Sequence, residues 1–168
     1  MRTKQKGFSL IELLIVVAII LIIAAIAIPN LIRSKMAANE ASAVATLRTI
    51  NTAEVVYSST YNSSAVFGTL AQLGSGGSAG ASCLPAALAT TPPTSTDACL
   101  IDTAIELDSA AAPKSGYILV VTVAGGGYGA TNDPVSAGST GVRRFFTDQS
   151  LVIRQNASAT ATAGDSPI

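Results

Sequence analysis

The organisation of this chain is set by KGFSLIE, residues Lys6–Glu12, which leads directly into the unbroken apolar run Leu13–Ile28. The stretch Phe8–Ile28 is long enough to cross a bilayer as a helix, since a span needs roughly 20 residues at about 1.5 Å each. Glu12 places a carboxylate at the edge of this segment. Because an unpaired carboxylate is costly in hydrocarbon, an acid in this position indicates a function. The sequence therefore predicts a membrane-length helix with one functional acid at its start.

This N-terminal pattern of a basic leader, Gly7, Phe8, Glu12 and the apolar run resembles that of type IV pilins and of type II secretion pseudopilins. The resemblance implies that a membrane peptidase cuts after Gly7 on the cytoplasmic side and methylates the new amino group of Phe8. It also implies that Glu12, the fifth residue of the mature chain, directs assembly. The motif covers about the first thirty residues, and beyond Pro29 the resemblance is one of layout. The family thus implies a structural filament subunit, without enzymatic activity and without a cofactor.

Glu12 can set the register between subunits in such a filament. A cut after Gly7 creates a cationic amine at Phe8, four residues before Glu12. If Glu12 faces the Phe8 amine of a neighbouring subunit, both charges are neutralised in a low-dielectric setting, where an unpaired charge is costly. Head-to-tail contacts of this kind propagate openly. We therefore expect assembly to depend on Glu12.

Two other interpretations of the N-terminus remain open at this stage. One is a conventional secretory signal peptide, because Ala25-Ile26-Ala27 resembles an A-x-A cleavage site. Against it, the apolar run is longer than the usual h-region of about 7–15 residues, and an acid just inside it is atypical. The other is a plain single-span anchor. The sequence thus leaves a pilus subunit as the first function, a pseudopilin as the second, and a secreted or membrane-anchored binding domain as the third.

The charge balance favours a filament subunit over a nucleic-acid-binding protein. The chain has 10 basic and 10 acidic residues, and three of the basic ones, Arg2, Lys4 and Lys6, lie in the leader. Removing the leader leaves 7 basic against 10 acidic residues, a balance of −3. Nucleic-acid binding usually needs a concentrated basic face, and the one basic doublet, Arg143-Arg144, fits a solvated strand edge better. We therefore predict no nucleic-acid partner.

The helix is predicted to continue past the membrane, from Phe8 to about Tyr61. The stretch from Asn30 to Tyr61 has neither Gly nor Pro and is rich in Ala, which favours helix. An apolar face, interrupted by Glu54, is expected on this second half. Its members are Met36, Ala43, Val44, Leu47, Ile50, Tyr57 and Tyr61. Pro29 removes a backbone hydrogen bond and clashes with the preceding turn, so we expect it to kink or locally melt the helix.

A small head with antiparallel strands is expected beyond the helix. Cys83 and Cys99 are the only cysteines, and outside the cytoplasm an even count of two predicts one disulfide. Strands are expected at 116–124, 142–146 and 151–154, the last two joined by a tight turn at 147–150. One face of this sheet would pack on the helix and close a two-layer α+β core. The resemblance implies that this α+β fold is type IV pilin-like.

Neither a catalytic site nor a metal site is predicted. A chain without histidine has no Ser-His-Asp or Cys-His arrangement. Two groups of oxygen side chains could bind Ca²⁺, although solvated acids are the favoured interpretation; they are Asp102, Glu106 and Asp108, and Asn132 with Asp133. Major pseudopilins often carry a calcium loop with an Asp-Pro-Trp type signature. Here Asp133-Pro134 is followed by Val135, and the chain has no tryptophan, which departs from that pattern.

The resemblance also implies how the chain is divided, where the protein is located and which partners it has. The predicted divisions are a leader at 1–7, a transmembrane or filament-core helix at 8–28, its amphipathic continuation at 29–61, and a head at 62–168 with a disulfide-closed loop. The precursor is expected in a bacterial inner membrane, in contact with lipid, and the product in an extracellular pilus or a periplasmic pseudopilus. The implied partners are copies of the same chain, a prepilin peptidase, and an inner-membrane assembly platform with a separate ATPase.

Overall fold

The structure is a computed structural model, and it describes residues 8–61, 66–75, 83, 92–108 and 112–168. Within these residues three helices span Leu10–Thr60 (α1), Leu70–Leu73 (α2) and Thr103–Glu106 (α3). Five strands span Tyr117–Ala124 (β1), Gly127–Pro134 (β2), Arg144–Asp148 (β3), Arg154–Asn156 (β4) and Ser166–Pro167 (β5). The chain divides into two units, one ending at Lys35 and the other comprising Met36–Ile168. The four predicted divisions of the chain stay predictions.

The long helix α1 agrees with the predicted helix to within two residues at each end. It contains no glycine and many alanines, so backbone propensity favours helix along its whole length. Pro29 lies inside α1, which is helical on both sides of it. The break expected at Pro29 therefore stays a prediction.

The strands form one antiparallel sheet in the order β1-β2-β3-β4-β5. The first two strands pair along their full length and are joined by Gly125 and Gly126. Both glycines have positive φ, 60° and 81°, as a two-residue hairpin turn requires. The sheet thus grows strand by strand from a tight β1–β2 hairpin.

The core lies between the sheet and the second half of α1. Buried apolar residues of α1 recur on one face, and the sheet contributes aromatic and aliphatic side chains opposite them. The largest contributors are Leu47, Ile50 and Tyr57 from α1, and Tyr117, Leu119, Tyr128 and Phe145 from the sheet. The predicted α+β fold is confirmed, and six of the seven residues predicted for the helix face belong to the core or pack against it; Met36 does not. Glu54, expected to interrupt this face, is fully buried within it.

The predicted strands differ from the observed ones in several places. No strand was predicted over Gly127–Pro134, but this segment is β2, whose residues alternate between half-buried and buried as far as Asp133. The second predicted strand is shifted to Arg144–Asp148, so Thr147 and Asp148 extend the strand instead of forming the turn. The third is shifted to Arg154–Asn156, because Leu151 takes φ 62° and cannot continue a strand. The edge strand β5 has no counterpart among the predictions.

Candidate functional site

The first half of α1 presents apolar side chains to its surroundings on all sides. Within the described residues, α1 is the one helix long and apolar enough to cross a membrane by length and composition, and its most apolar window has no buried residue. Exposed fractions reach 71% at Phe8 and 80% at Leu10, and Ile26 is still 64% exposed. A helix that is apolar all round needs lipid or other protein around it. This segment is therefore the candidate contact surface of the molecule.

Glu12 is exposed in the first turn of α1, amid this apolar surface. A carboxylate in the first turn is favoured by the helix dipole, which provides a purely local reason for an acid here. Ser9 also precedes the helix with the S-x-x-E spacing of a capping box, and its carbonyl oxygen accepts the Leu13 N–H at 3.2 Å. Among the described residues, however, Glu12 has no cationic partner. Its charge is therefore available to a group from outside this part of the chain.

The predicted processing site falls partly outside the described residues. Gly7 and the basic leader are not among them, whereas Phe8 is described and lies exposed just before α1. The roles of Gly7, Phe8 and Glu12 in cleavage, methylation and register, and of Pro29 as a helix break, stay predictions.

The predicted disulfide is present, and it joins Cys83 to Cys99 with a Cα–Cα distance of 5.4 Å. Backbone hydrogen bonds also join the segment around Cys99 to the end of α2. The Cys99 N–H donates to Gly74 O at 2.9 Å, and the Leu100 N–H donates to Leu73 O at 2.7 Å. The disulfide thus covalently closes a junction that hydrogen bonds already hold at the end of α2.

The residues of the two candidate calcium groups make other contacts in the structure. Within the described ranges, no three His, Cys, Asp or Glu side chains are grouped so that they could hold a metal ion. Two of the acids bind the backbone of the head. Glu106 accepts the Ser75 N–H at 3.0 Å, and Asp108 accepts the Lys114 N–H at 3.1 Å. Burial raises the pKa of Asp108, against the lowering effect of its hydrogen bonds and of Lys114.

The contacts by which three polar residues of α1 join the helix to the rest of the head were not predicted. Glu40 is paired with Arg143, and Glu54 accepts the Gly68 N–H at 2.8 Å. Asn51 accepts hydrogen bonds from the Tyr128 hydroxyl at 2.9 Å and the Thr147 hydroxyl at 3.0 Å. These residues flank or interrupt the apolar face of α1. That position is the only sequence signal that could have identified them.

The comparisons with known proteins concern the N-terminal segment. The family described as the prokaryotic N-terminal methylation motif matches residues 2–28. The chain is 49% identical over 51 residues to the type IV major pilin protein PilA of Myxococcus xanthus, covering 30% of this chain and 23% of that protein. It is 60% identical over 37 residues to the type IV wide pilus major component PilA4 of Thermus thermophilus, covering 22% of this chain and 28% of that protein.

The matched region spans only about a quarter of the length of these two relatives. No solved structure matches the chain significantly. The family match covers the segment that contains the exposed apolar helix and the acid in its first turn. Residues 2–28 thus match the prokaryotic N-terminal methylation motif, and the predicted resemblance of this segment to type IV pilins is confirmed.

Proposed function

We propose that this chain is a structural subunit of a type IV pilus-like filament, polymerised through the first half of α1. The observation that carries the proposal is the exposed apolar helix with Glu12 in its first turn. Burying apolar surface is worth roughly 25 cal/mol per Å², so a helix exposed on all sides gains strongly from lipid or from copies of itself. In the precursor, lipid covers this apolar surface, and in the filament, copies of the same helix cover it.

Glu12 gives the packing of these helices a defined register. Apolar helices can slide past one another with little change in buried area, whereas a buried carboxylate has few favourable positions. The cationic amine of a neighbouring chain that begins at Phe8 is the partner we propose. Cleavage after Gly7 and methylation of Phe8 by a prepilin peptidase supply that chain end. An inner-membrane platform with a separate ATPase extracts and adds the subunits, and lipid surrounds the precursor in the inner membrane.

A surface pilus is favoured over a periplasmic pseudopilus by two observations. Both relatives reported above are named as major pilus components. The pseudopilin calcium signature is also incomplete, since Asp133 and Pro134 belong to β2 and are followed by Val135. The pseudopilin function remains the second candidate, because its N-terminal segment has the same motif.

The experiment that tests the proposal is N-terminal analysis of the protein in sheared surface material. Cells expressing the native chain are sheared, filaments are imaged, and the first residue and its modification are determined by mass spectrometry. Filaments that contain a chain beginning at methylated Phe8 support the pilus function. A chain beginning at Phe8 that is retained in the cell envelope supports the pseudopilus instead. A chain beginning near Ile28 contradicts both and indicates a conventional signal peptide.

A further inference from the structure

Two cations follow directly after the apolar half of α1. Arg33 and Lys35 are the only charged residues of α1 between Glu12 and Glu40, and both are exposed. They lie at the end of the N-terminal unit, which closes with Lys35. Because neither side chain is buried, packing within the chain does not explain why two cations occur here.

No acid of this chain pairs with these two cations among the residues that the structure describes. Glu40, the next acid along α1, is already engaged by Arg143 Nε and by the backbone N–H groups of Val142 and Arg143. The remaining internal segments supply no acid either, since they contain no charged residue; these segments are 62–65, 76–82, 84–91 and 109–111. Any fixed counter-charge for the two cations therefore comes from another molecule.

The spacing along α1 places Arg33 at one surface of a bilayer. The stretch from Leu13 to Ile32 contains one polar side chain, Asn30, and at about 1.5 Å per residue it is roughly 30 Å long. The hydrocarbon core of a bilayer is also about 30 Å thick. When this stretch spans the core, Glu12 lies at one boundary and Arg33 lies at the other. The cations are then level with the lipid headgroups.

Arg33 and Lys35 leave the helix on nearly opposite sides. At about 100° per residue they are roughly 160° apart around the helix axis, but only about 3 Å apart along it. A protein surface that packs against one side of α1 can meet either cation but not both. A headgroup layer surrounds the helix at a single depth and meets both of them. The arrangement therefore favours a lipid surface over a protein partner.

The positive-inside rule gives a further reason to expect a ligand for these cations. Lys and Arg are in excess on the cytoplasmic side of membrane spans. In the orientation of our proposed function, the leader supplies the cytoplasmic cations Arg2, Lys4 and Lys6. Arg33 and Lys35 then lie at the opposite, disfavoured end. Anionic headgroups at that end offset this, because they attract the charged tips while the aliphatic stems stay along the apolar boundary.

We propose that Arg33 and Lys35 bind anionic phospholipid headgroups at the non-cytoplasmic surface of the membrane and so hold the precursor at a fixed depth. The inference rests on the proposed filament function, because that function places the precursor in the inner membrane. It deepens the function by naming the class of lipid that surrounds one end of the apolar helix. Extraction of a subunit then breaks these headgroup contacts in addition to removing the apolar helix from lipid.

Local lipid selectivity tests this proposal directly. The chain has no tryptophan, so Leu31→Trp introduces a single indole beside the two cations, at a position that is 69% exposed. The full chain is reconstituted in vesicles of phosphatidylcholine with a minor fraction of phosphatidylglycerol, and either one lipid or the other carries bromine on its acyl chains. Bromine quenches indole fluorescence only at short range. The two quenching efficiencies therefore give the lipid composition around residue 31.

We expect phosphatidylglycerol to be enriched about fivefold over its bulk fraction around this indole, which is the effect of about one cation near an anionic surface. High salt is expected to reduce the enrichment by screening. Arg33→Gln/Lys35→Gln in the Leu31→Trp background is expected to abolish it. Arg48→Gln is the matched control, because it removes an exposed cation from the half of α1 that packs on the sheet, and it should leave the enrichment unchanged.

The results separate the inference from the function on which it rests. An indole that neither brominated lipid quenches overturns the membrane location of the precursor, and the inference with it. Equal quenching by both lipids overturns only the headgroup contacts. An enrichment that persists in Arg33→Gln/Lys35→Gln shows that other groups attract the lipid, and this result also contradicts the proposal.

The yield of sheared filaments tests the alternative that the two cations face acids of a neighbouring protein. Subunit levels in the membrane are measured in parallel to normalise the yields. If Arg33→Gln/Lys35→Gln lowers the yield while the vesicles show no lipid preference, a protein partner is responsible and the proposal is wrong. A lipid preference together with an undiminished yield supports the lipid surface.

Discussion

Glu40 of α1 and Arg143 form an ion pair in which Oε2 and Nε are 2.8 Å apart. The other carboxylate oxygen accepts the N–H groups of Val142 at 2.9 Å and of Arg143 at 3.1 Å. One carboxylate therefore fixes both the backbone and the side chain of the segment that leads into β3. Burial acts to raise the pKa of Glu40, but these hydrogen bonds and the Arg143 charge outweigh it, so the pKa lies below its ordinary value.

Replacing Glu40 by Ala is expected to destabilise the head. The substitution leaves two backbone donors without their acceptor, which costs about 1–3 kcal/mol, whereas the half-exposed Arg143 side chain adds little. The free energy of unfolding of the full chain in detergent, measured by denaturant titration, checks this value. Arg144→Ala is the control, because Arg144 makes one exposed hydrogen bond to a backbone carbonyl and no ion pair. Equal stability of the two variants would contradict the role assigned to Glu40.

The same pair predicts a loss of stability in acid. Because the pKa of Glu40 is lower in the folded chain than in the unfolded chain, its contribution is present above the ordinary value of 4.5. It is lost as the pH falls through the lowered pKa. We expect Glu40→Ala to have a flatter acid limb than the native chain when unfolding is followed by circular dichroism from pH 6 to pH 2. Identical acid limbs would mean that other carboxylates account for the acid sensitivity.

Glu54 is expected to produce the opposite pH dependence. Burial raises its pKa from 4.5 to about 7, and the hydrogen bond from the Gly68 N–H only partly counteracts this. The folded chain therefore holds a proton that the unfolded chain releases, and stability falls as the pH rises from about 4.5 through 7, by about 3 kcal/mol in all. Glu54→Gln, which keeps the acceptor, is expected to remove this fall in denaturant titrations at pH 5 and pH 8.

The interpretation of the Glu54 experiment depends on the groups that face it. Tyr57 and Tyr128 are the titratable neighbours, and burial together with the Glu54 charge raises the pKa of both above the ordinary value of 10.0. Neither tyrosine therefore titrates between pH 5 and pH 8. A fall in stability that persists in Glu54→Gln would show that Glu54 is not its source.

Asn51 is expected to tolerate replacement poorly despite its neutral side chain. Its amide binds the hydroxyls of Tyr128 and Thr147 and the carbonyl of Leu151. Asn51→Leu leaves the two buried hydroxyls without an acceptor, at about 1–3 kcal/mol for each. We expect Tyr128→Phe to cost less, because it removes a donor and leaves the Asn51 oxygen bound to Thr147. Thermal unfolding of the full chain in detergent compares the two, and a larger loss in Tyr128→Phe contradicts this account.

Glu12→Gln is expected to abolish or strongly reduce filament formation without changing the head. The substitution keeps the size of the side chain and removes the charge that pairs with the amine of Phe8 in our proposal. Filament yield after shearing measures assembly, and Tm measures the head. Glu12→Asp is the matched variant, since it keeps the charge on a shorter side chain and should restore part of the yield. Full assembly of Glu12→Gln would remove the support for a register role.

How far the sequence predicts this molecule depends on whether a feature has a local signal. The helix α1 follows from an apolar run and an alanine-rich stretch, and β1 from its β-branched residues. The strand β2 was missed because GYGATNDP has neither apolar alternation nor β propensity, and only its pairing with β1 and β3 makes it a strand. Such tertiary override of propensity cannot be recognised from one segment alone.

The residues of the candidate site also divide into those that have a local sequence signal and those that only the fold brings together. The exposed helix with Glu12 and the Cys83–Cys99 pair could be identified from residue types and order. The pairing of Glu40 with Arg143 could not, because it joins residues 103 positions apart, and neither residue has a local signal for the other.

The position of Glu40 and Asn39 along α1 has a mechanical consequence. Both residues lie at the N-terminal end of the buried half of α1, where Asn39 Nδ2 donates to Thr140 O at 2.8 Å and Glu40 holds Arg143. A pulling force that travels along α1 from its N-terminus reaches these polar contacts before it reaches Leu47 and the apolar core. The head is then peeled from its helix one contact at a time, beginning with Asn39 and Glu40. Rupture force measured on single molecules should consequently depend more on Glu40 than on residues deeper in the core.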